Sequence, residues 1–236
     1  MKFFRKIRKS NLKEGKIVNY LKYAIGEIIL VVIGILLAVY INERITENKN
    51  NDLRDLYLNE LKFSIEYDIK DVQDNISAFD KWNPKLEELL LFLKNKKLTK
   101  LDSVRDKINI ATRYIYFIQR SKSKIEELTY SNINLIKNRE LKNKILLYQD
   151  SDIMALKNAE NRYNLVDAEL RKYFSVNLIN ENLSLPQLEA DKQFFSLIYQ
   201  KYNVNVGMNR IYQNLLKEQY EIKKMIESEL ENHSAK

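Results

Sequence analysis

Few side chains in this 236-residue chain have the type and spacing for chemistry. Its one histidine, His233, lies in a polar stretch, 232–236, that is expected to fray, which leaves no Ser-His-Asp triad for a folded domain. The same count, with no cysteine at all, excludes zinc sites rich in Cys or His, thiol nucleophiles and disulfides. Carboxylates are plentiful at 32, but the pairs Glu87-Glu88 and Glu126-Glu127 are adjacent positions, which point about 100° apart on a helix. They read as solvated faces. Glycine occurs only at 15, 26, 34 and 207, so no glycine-rich phosphate loop can be written and no cofactor is implied.

Glu27 is the exception. It is the single ionisable residue in Tyr23-Ala-Ile-Gly-Glu-Ile-Ile-Leu-Val-Val-Ile-Gly-Ile-Leu-Leu-Ala-Val-Tyr-Ile41. A carboxylate deep in hydrocarbon costs about 3 kcal/mol on insertion scales and normally faces a partner or water. Glu27, Val31, Gly34 and Ala38 fall on one helical face, and Gly34-x-x-x-Ala38 is a small-x-x-x-small step that admits a second helix. One reading is a helix–helix contact with Glu27 bonded across it. The other is that Glu27, about one turn from the start of the run, reaches the headgroups or Lys22.

The element that positions Glu27 is a transmembrane helix over 23–41, roughly 28 Å long at 1.5 Å per residue, close to a bilayer's hydrocarbon thickness. Before it lie eight bases, Lys2, Arg5, Lys6, Arg8, Lys9, Lys13, Lys16 and Lys22, against Glu14. That segment holds +7 of the net +8, so the remainder is near neutral and a nucleic-acid groove lacks electrostatic support. The positive-inside rule places the basic edge in the cytoplasm, where Phe3, Phe4 and Ile7 can dip into the bilayer surface, and the rest across the membrane. After the apolar run, Ala38-Val-Tyr-Ile-Asn-Glu offers no small-x-small cleavage pattern, which favours an uncleaved signal anchor over a signal peptide.

Residues 42–52 are a polar stalk or hinge that either continues the membrane helix, the favoured reading, or bends at its Asn cluster. Beyond them, scarce Gly and Pro and 3.6-residue periodicity predict an all-α exported domain over 53–231. One stripe runs Leu53, Tyr57, Leu61, Ile65, Ile69, Val72, Ile76, Phe79. Asn83-Pro84 reads as an N-cap and first helical position opening a shorter helix through Leu86, Leu89, Leu90 and Leu93. A loop follows over 94–103. Ser103-Val-Arg-Asp106 resembles a capping box before Val104, Ile108, Ala111, Ile115 and Ile118, and Ser123-Lys-Ile-Glu126 is another. The longest repeat runs from Leu141 through Ile145, Tyr148, Asp152, Leu156, Ala159, Tyr163, Val166 and Leu170 to Tyr173, nearly heptad throughout, with Asp152 marking a local opening to water. After a break at 177–184, Ser184-Leu-Pro-Gln187 caps a helix with Phe194, Leu197 and Ile198. Gly207 kinks or divides the last stripe, Met208, Ile211, Leu215, Ile222, Met225.

The aromatics Tyr114, Tyr116, Phe117, Tyr148, Tyr163, Tyr173, Tyr199, Tyr202, Tyr212 and Tyr220 read as interhelical packing rather than a ligand cleft. Asn75-Ile-Ser77 and Asn182-Leu-Ser184 match the glycosylation pattern by chance.

The opening Lys2-Phe-Phe-Arg-Lys-Ile-Arg8, the run Tyr20-Leu-Lys-Tyr-Ala-Ile-Gly-Glu-Ile-Ile-Leu-Val-Val-Ile-Gly-Ile-Leu-Leu-Ala38 and a second block, Ile125-Glu-Glu-Leu-Thr-Tyr-Ser-Asn-Ile-Asn-Leu-Ile-Lys-Asn-Arg-Glu-Leu-Lys-Asn-Lys-Ile145, resemble an uncharacterised family of single-pass membrane proteins from Bacteroidota-type bacteria. In the second block that family is expected to have Gly where this chain has Asn132. The resemblance implies a Gram-negative envelope location and no transferable activity.

Together these readings predict one N-terminal transmembrane helix followed by an antiparallel helical bundle with coiled-coil-like packing. The chain is expected in a bacterial inner membrane, N-terminus cytoplasmic and bundle periplasmic. Its partners are expected to be the lipid bilayer and a membrane or periplasmic protein, or a second copy, in a non-catalytic role. The alternative is a periplasmic ligand-binding or sensory module that signals through a membrane partner.

Overall fold

The computed structural model describes residues 17–95, 101–113, 132–177 and 185–234; of these, the side chains of 17–20, 101–103, 149–155, 185, 233 and 234 are not described. Every regular element among them is helical: α1 (Ile17–Asn95), α2 (Leu101–Ala111), a 3₁₀ turn (Ile133–Leu135), α3 (Arg139–Asn177), α4 (Leu185–Ala190) and α5 (Lys192–Ser234). The chain divides into two compact units, Met1–Leu53 and Arg54–Lys236.

In the first unit α1 is apolar on all sides from Tyr23 to Ile41 apart from Glu27, and every side chain from Leu21 to Asn50 except Ala24 is exposed. An 18-residue window here reaches a mean hydropathy of 2.7 with none of it buried, long and apolar enough to cross a membrane. The backbone stays helical through 42–52, the continuation expected of a stalk, with no helix break at the Asn cluster.

The second unit is built on three long helical segments. Lys62 pairs with Glu227 at 3.2 Å, Glu66 with Lys223 at 2.7 Å, and Asp80 accepts from Asn209 at 3.0 Å, so α5 runs antiparallel to α1. Asn138 to Glu229, Lys144 to Glu221 and Asp167 to Lys201 set α5 antiparallel to α3 in the same way. Apolar residues three and four apart on each segment close a first core: Leu61, Ile65 and Val72 from α1, Leu141, Ile145 and Tyr163 from α3, and Met208, Tyr212 and Ile222 from α5. A second core forms where α2 and α4 join the bundle, with Leu86 and Leu89 packed among Val104, Ile108, Leu170, Leu188 and Phe194. Trp82 and Val204 touch both.

Local reading failed at several points. No helix starts at Asn83-Pro84: Pro84 lies inside α1, and Asn83 Oδ1 accepts no hydrogen bond among the described residues. An internal proline costs about 3 kcal/mol. Leu86, Leu89 and Leu93, all buried and in phase with Phe79, oppose that cost by packing into the second core. Leu53, expected to begin the buried stripe, is 52% exposed; the inward face begins at Arg54 and Tyr57. α1 runs two residues into the expected loop, and α2 begins at Leu101 rather than behind a Ser103 cap, its phase set by buried Val104, Ile108 and Ala111.

Asp191, not Ser184, caps the helix carrying Phe194. Its Oδ1 accepts from the Gln193 and Phe194 N–H groups at 2.8 and 3.0 Å, and α4 is a separate short helix before it. Gly207 does not divide α5, because buried Met208 and Tyr212 continue the seam past it and a glycine costs a helix only about 1 kcal/mol. The expected frayed tail at 232–236 is helical through Ser234, carried by buried Ile226 and half-buried Leu230. Ile115, Ile118, the Ser123 box and residues 125–131 of the block 125–145 lie outside the described residues.

Candidate functional site

Glu27, Val31, Gly34 and Ala38 all lie on the exposed surface of the apolar helix, and a Cβ added to Gly34 would meet nothing within 4 Å. Of the basic anchor, Lys22 is exposed, whereas Lys2, Arg5, Lys6, Arg8, Lys9, Lys13 and Lys16 lie outside the described residues. Tyr23 stands at one end of the run. At the other, Arg44 Nε donates to the Tyr40 hydroxyl at 3.2 Å with its guanidinium 5.4 Å from the ring centroid, an aromatic-cation pair suited to a headgroup boundary.

The bundle interior holds polar groups that the sequence reading missed. Lys201, with no exposed surface, donates to Asp167 Oδ1 at 3.0 Å, and its ammonium sits 3.8 Å from the Tyr163 ring centroid. Lys201 and the Tyr163 hydroxyl both donate to the Arg113 carbonyl, at 3.5 and 3.1 Å. Arg171 bonds the other oxygen of Asp167 at 2.6 Å and donates to the Thr112 carbonyl at 3.3 Å. Two cations and a phenol therefore hold the carbonyl end of α2, where the helix dipole is negative. Burial pushes the Lys201 ammonium down to about 8, against the opposing pull of Asp167. With Lys201 sealed from solvent, this cluster positions α2.

A second polar layer lies in the first core, where the Gln219 amide donates to the Tyr148 hydroxyl at 3.0 Å and that hydroxyl donates to Asp68 at 3.3 Å. At the far end the Tyr173 hydroxyl donates to Asp191 at 2.6 Å. Burial, together with that bond, pushes the Tyr173 phenol well up. Burial works against the Asp191 carboxylate, but the Tyr173 hydroxyl and the two capping N–H groups outweigh it and lower its pKa.

The expected aromatic packing is present at Tyr148, Tyr163, Tyr173 and Tyr212, all buried. Tyr199 and Tyr220 are not in the core: Tyr199 stacks on Phe195 and Tyr220 accepts from Gln73, because both fall on the outward face of α5. Tyr114, Tyr116 and Phe117 lie outside the described residues. Glu87 and Glu88 are exposed, and Glu88 pairs with Lys107 at 3.4 Å. Glu126, Glu127, Asn182 and the side chains of Asp152 and His233 are not described. Asn75 is buried in α1, which excludes a glycan there. Among the described residues no three His, Cys, Asp or Glu side chains converge to hold a metal ion.

Two adjoining hollows line the outer seam between α3 and α5, of about 160 and 370 Å³. Both share Arg162, Asn203 and Val204. The smaller is floored by Ala159, Met208 and Ile211 beside Gly207, and the larger by Leu165, Val166 and Tyr199.

The buried polar residues had a readable signal. Ile198, Lys201, Asn205, Met208, Tyr212, Leu215, Gln219, Ile222 and Ile226 step alternately by three and four, so Lys201, Asn205 and Gln219 occupy seam positions. Compared with models of protein families, with characterised proteins and with solved structures, the chain matches none.

Proposed function

We propose that this chain is a single-pass, membrane-anchored protein of the bacterial cell envelope that acts without catalysis, by protein–protein contact. The observation that carries this reading is the apolar half of α1, whose 18-residue window has mean hydropathy 2.7 and no buried share. Leaving such a surface in water would cost on the order of tens of kcal/mol, so lipid is its natural solvent. The basic segment before it orients the N-terminus to the cytoplasm and the bundle to the periplasm of an inner membrane. Resemblance to the single-pass Bacteroidota-type family agrees with that location.

Within the membrane, Glu27, Val31, Gly34 and Ala38 form the contact face, toward a partner helix or a second copy. Replacing Gly34 by Leu tests this: self-association or partner recovery in a membrane two-hybrid assay should fall, and an unchanged signal would remove the face from the account. A ligand-binding or sensory role is the second reading, favoured by the hollows between α3 and α5. Stabilisation of the purified full chain by a small molecule, abolished by a bulky residue at Gly207, would support it.

A further inference from the structure

The outer seam of α3 and α5 has features that the bundle's own packing does not use. Arg162 lies between the two hollows and forms no ion pair or hydrogen bond to another described residue; Asn203, across from it on α5, forms none either. Leu165 is 67% exposed and Tyr199 52% exposed, so the apolar walls stand in solvent. Gly207 leaves open space where a side chain would project. From Ala159 to Glu169 the lining covers roughly 15 Å of helix, against about 10.5 Å between positions i and i+7 of a helical ligand.

We infer that this seam docks an amphipathic helix of a partner protein, with two apolar side chains about two turns apart entering the hollows and an acidic side chain between them bonding Arg162. Two antiparallel helices present ridges and a groove that a third helix matches, and the addition would complete a four-helix layer. The guanidinium, without a partner among the described residues, prefers a carboxylate in bidentate geometry, and Glu169 at the far end of the larger hollow disfavours a second acid there. The missing Cβ at Gly207 lets the incoming helix approach closely. A second copy's own Leu56, Glu60 and Phe63 have the matching apolar-acid-apolar order, but in the register set by the Glu66–Lys223 and Asp80–Asn209 contacts they lie some 30 Å along the bundle from this groove. Two copies lying side by side in the same register would not bring them to it.

This inference rests on the reading of the chain as an interaction module and names its docking site. The test uses the full chain in lipid nanodiscs and a synthetic helical peptide with Leu at i and i+7 and Glu at i+4. Saturable binding is expected, weakened at least about fivefold by Arg162→Glu, restored when the peptide Glu is changed to Lys, and lost in Gly207→Trp. Circular dichroism and thermal melts establish that each variant is folded. Equal binding to the wild type and to Arg162→Glu, or no binding, would overturn the docking site. Self-association abolished by Arg162→Glu, without peptide binding, would assign the groove to a second copy and also overturn it. Either failure leaves the membrane-anchored reading standing if Gly34→Leu still weakens association; the chain behaving as a soluble protein would remove that reading itself.

Discussion

The two halves of α1 are one helix written for two solvents. From Tyr23 to Ile41 large apolar side chains stand exposed on every side, with Glu27 the one charge among them. From Arg54 onward one face is buried, with Tyr57, Leu61, Ile65, Val72 and Phe79 in the core, while Leu56, Phe63 and Tyr67 stand exposed among polar residues and Lys62 and Glu66 bridge to α5. Secondary structure is the same in both halves, and only the distribution of apolar surface tells which side must be covered and by what.

The largest expected effect lies in the first half. Leu30→Arg with Val32→Arg places two charges mid-run, at about 3 kcal/mol each on insertion scales. The doubly substituted protein should shift from the alkali-resistant membrane pellet to the soluble or degraded fraction. The same two charges at Asn59 and Gln73, exposed positions of the second half, should leave the pellet unchanged.

In the second half the most sensitive point is the buried cation. Lys201→Ala strands Asp167 with Arg171 alone and is expected to cost about 3 kcal/mol in denaturant unfolding, whereas Lys201→Met with Asp167→Leu should recover much of that loss. pH separates the same contribution. The Lys201 pKa is lowered on folding from 10.5 to about 8, so between those values the unfolded chain binds more protons and stability should rise with pH. Lys201→Met should flatten that rise; a slope unchanged by the substitution would place its origin elsewhere.

Smaller effects test the helix ends. Asp191→Ala removes a cap from α5 and the acceptor of Tyr173, at about 1–2 kcal/mol. Because that carboxyl's pKa is lowered on folding, its contribution is present above the usual carboxylate range and lost as pH falls through it. Gly207→Ala should stabilise by about 0.5–1 kcal/mol, since its added Cβ meets nothing within 4 Å and alanine restricts the unfolded chain.

How far the sequence could be read depended on whether local rules or the core decided. The stripe from Leu141 to Tyr173 was legible because its period alone specifies a buried face, and α3 follows it. Pro84 was misread because a local start signal was outweighed by leucines packing on α2, α3, α4 and α5. Asp191 passed unnoticed because an acid after Leu-Glu-Ala looks like more of the same helix, although it is the residue that ends one and starts the next. Lys201 was missed because a lysine flanked by Gln200, Tyr202 and Asn203 suggests a solvated face, and only its seam position reveals otherwise. The groove was invisible for a different reason: Arg162 and Asn203 come together through the pairing of α3 with α5, which no local pattern encodes.

The absence of cysteine makes the central claim directly measurable. Single cysteines at Ser10 and Ser77 of the full chain are exposed to a membrane-impermeant maleimide on intact spheroplasts. The account predicts rapid labelling at Ser77→Cys and labelling at Ser10→Cys only after lysis. Equal labelling of both before lysis, or the reverse order, would contradict a span between them with the basic edge inside.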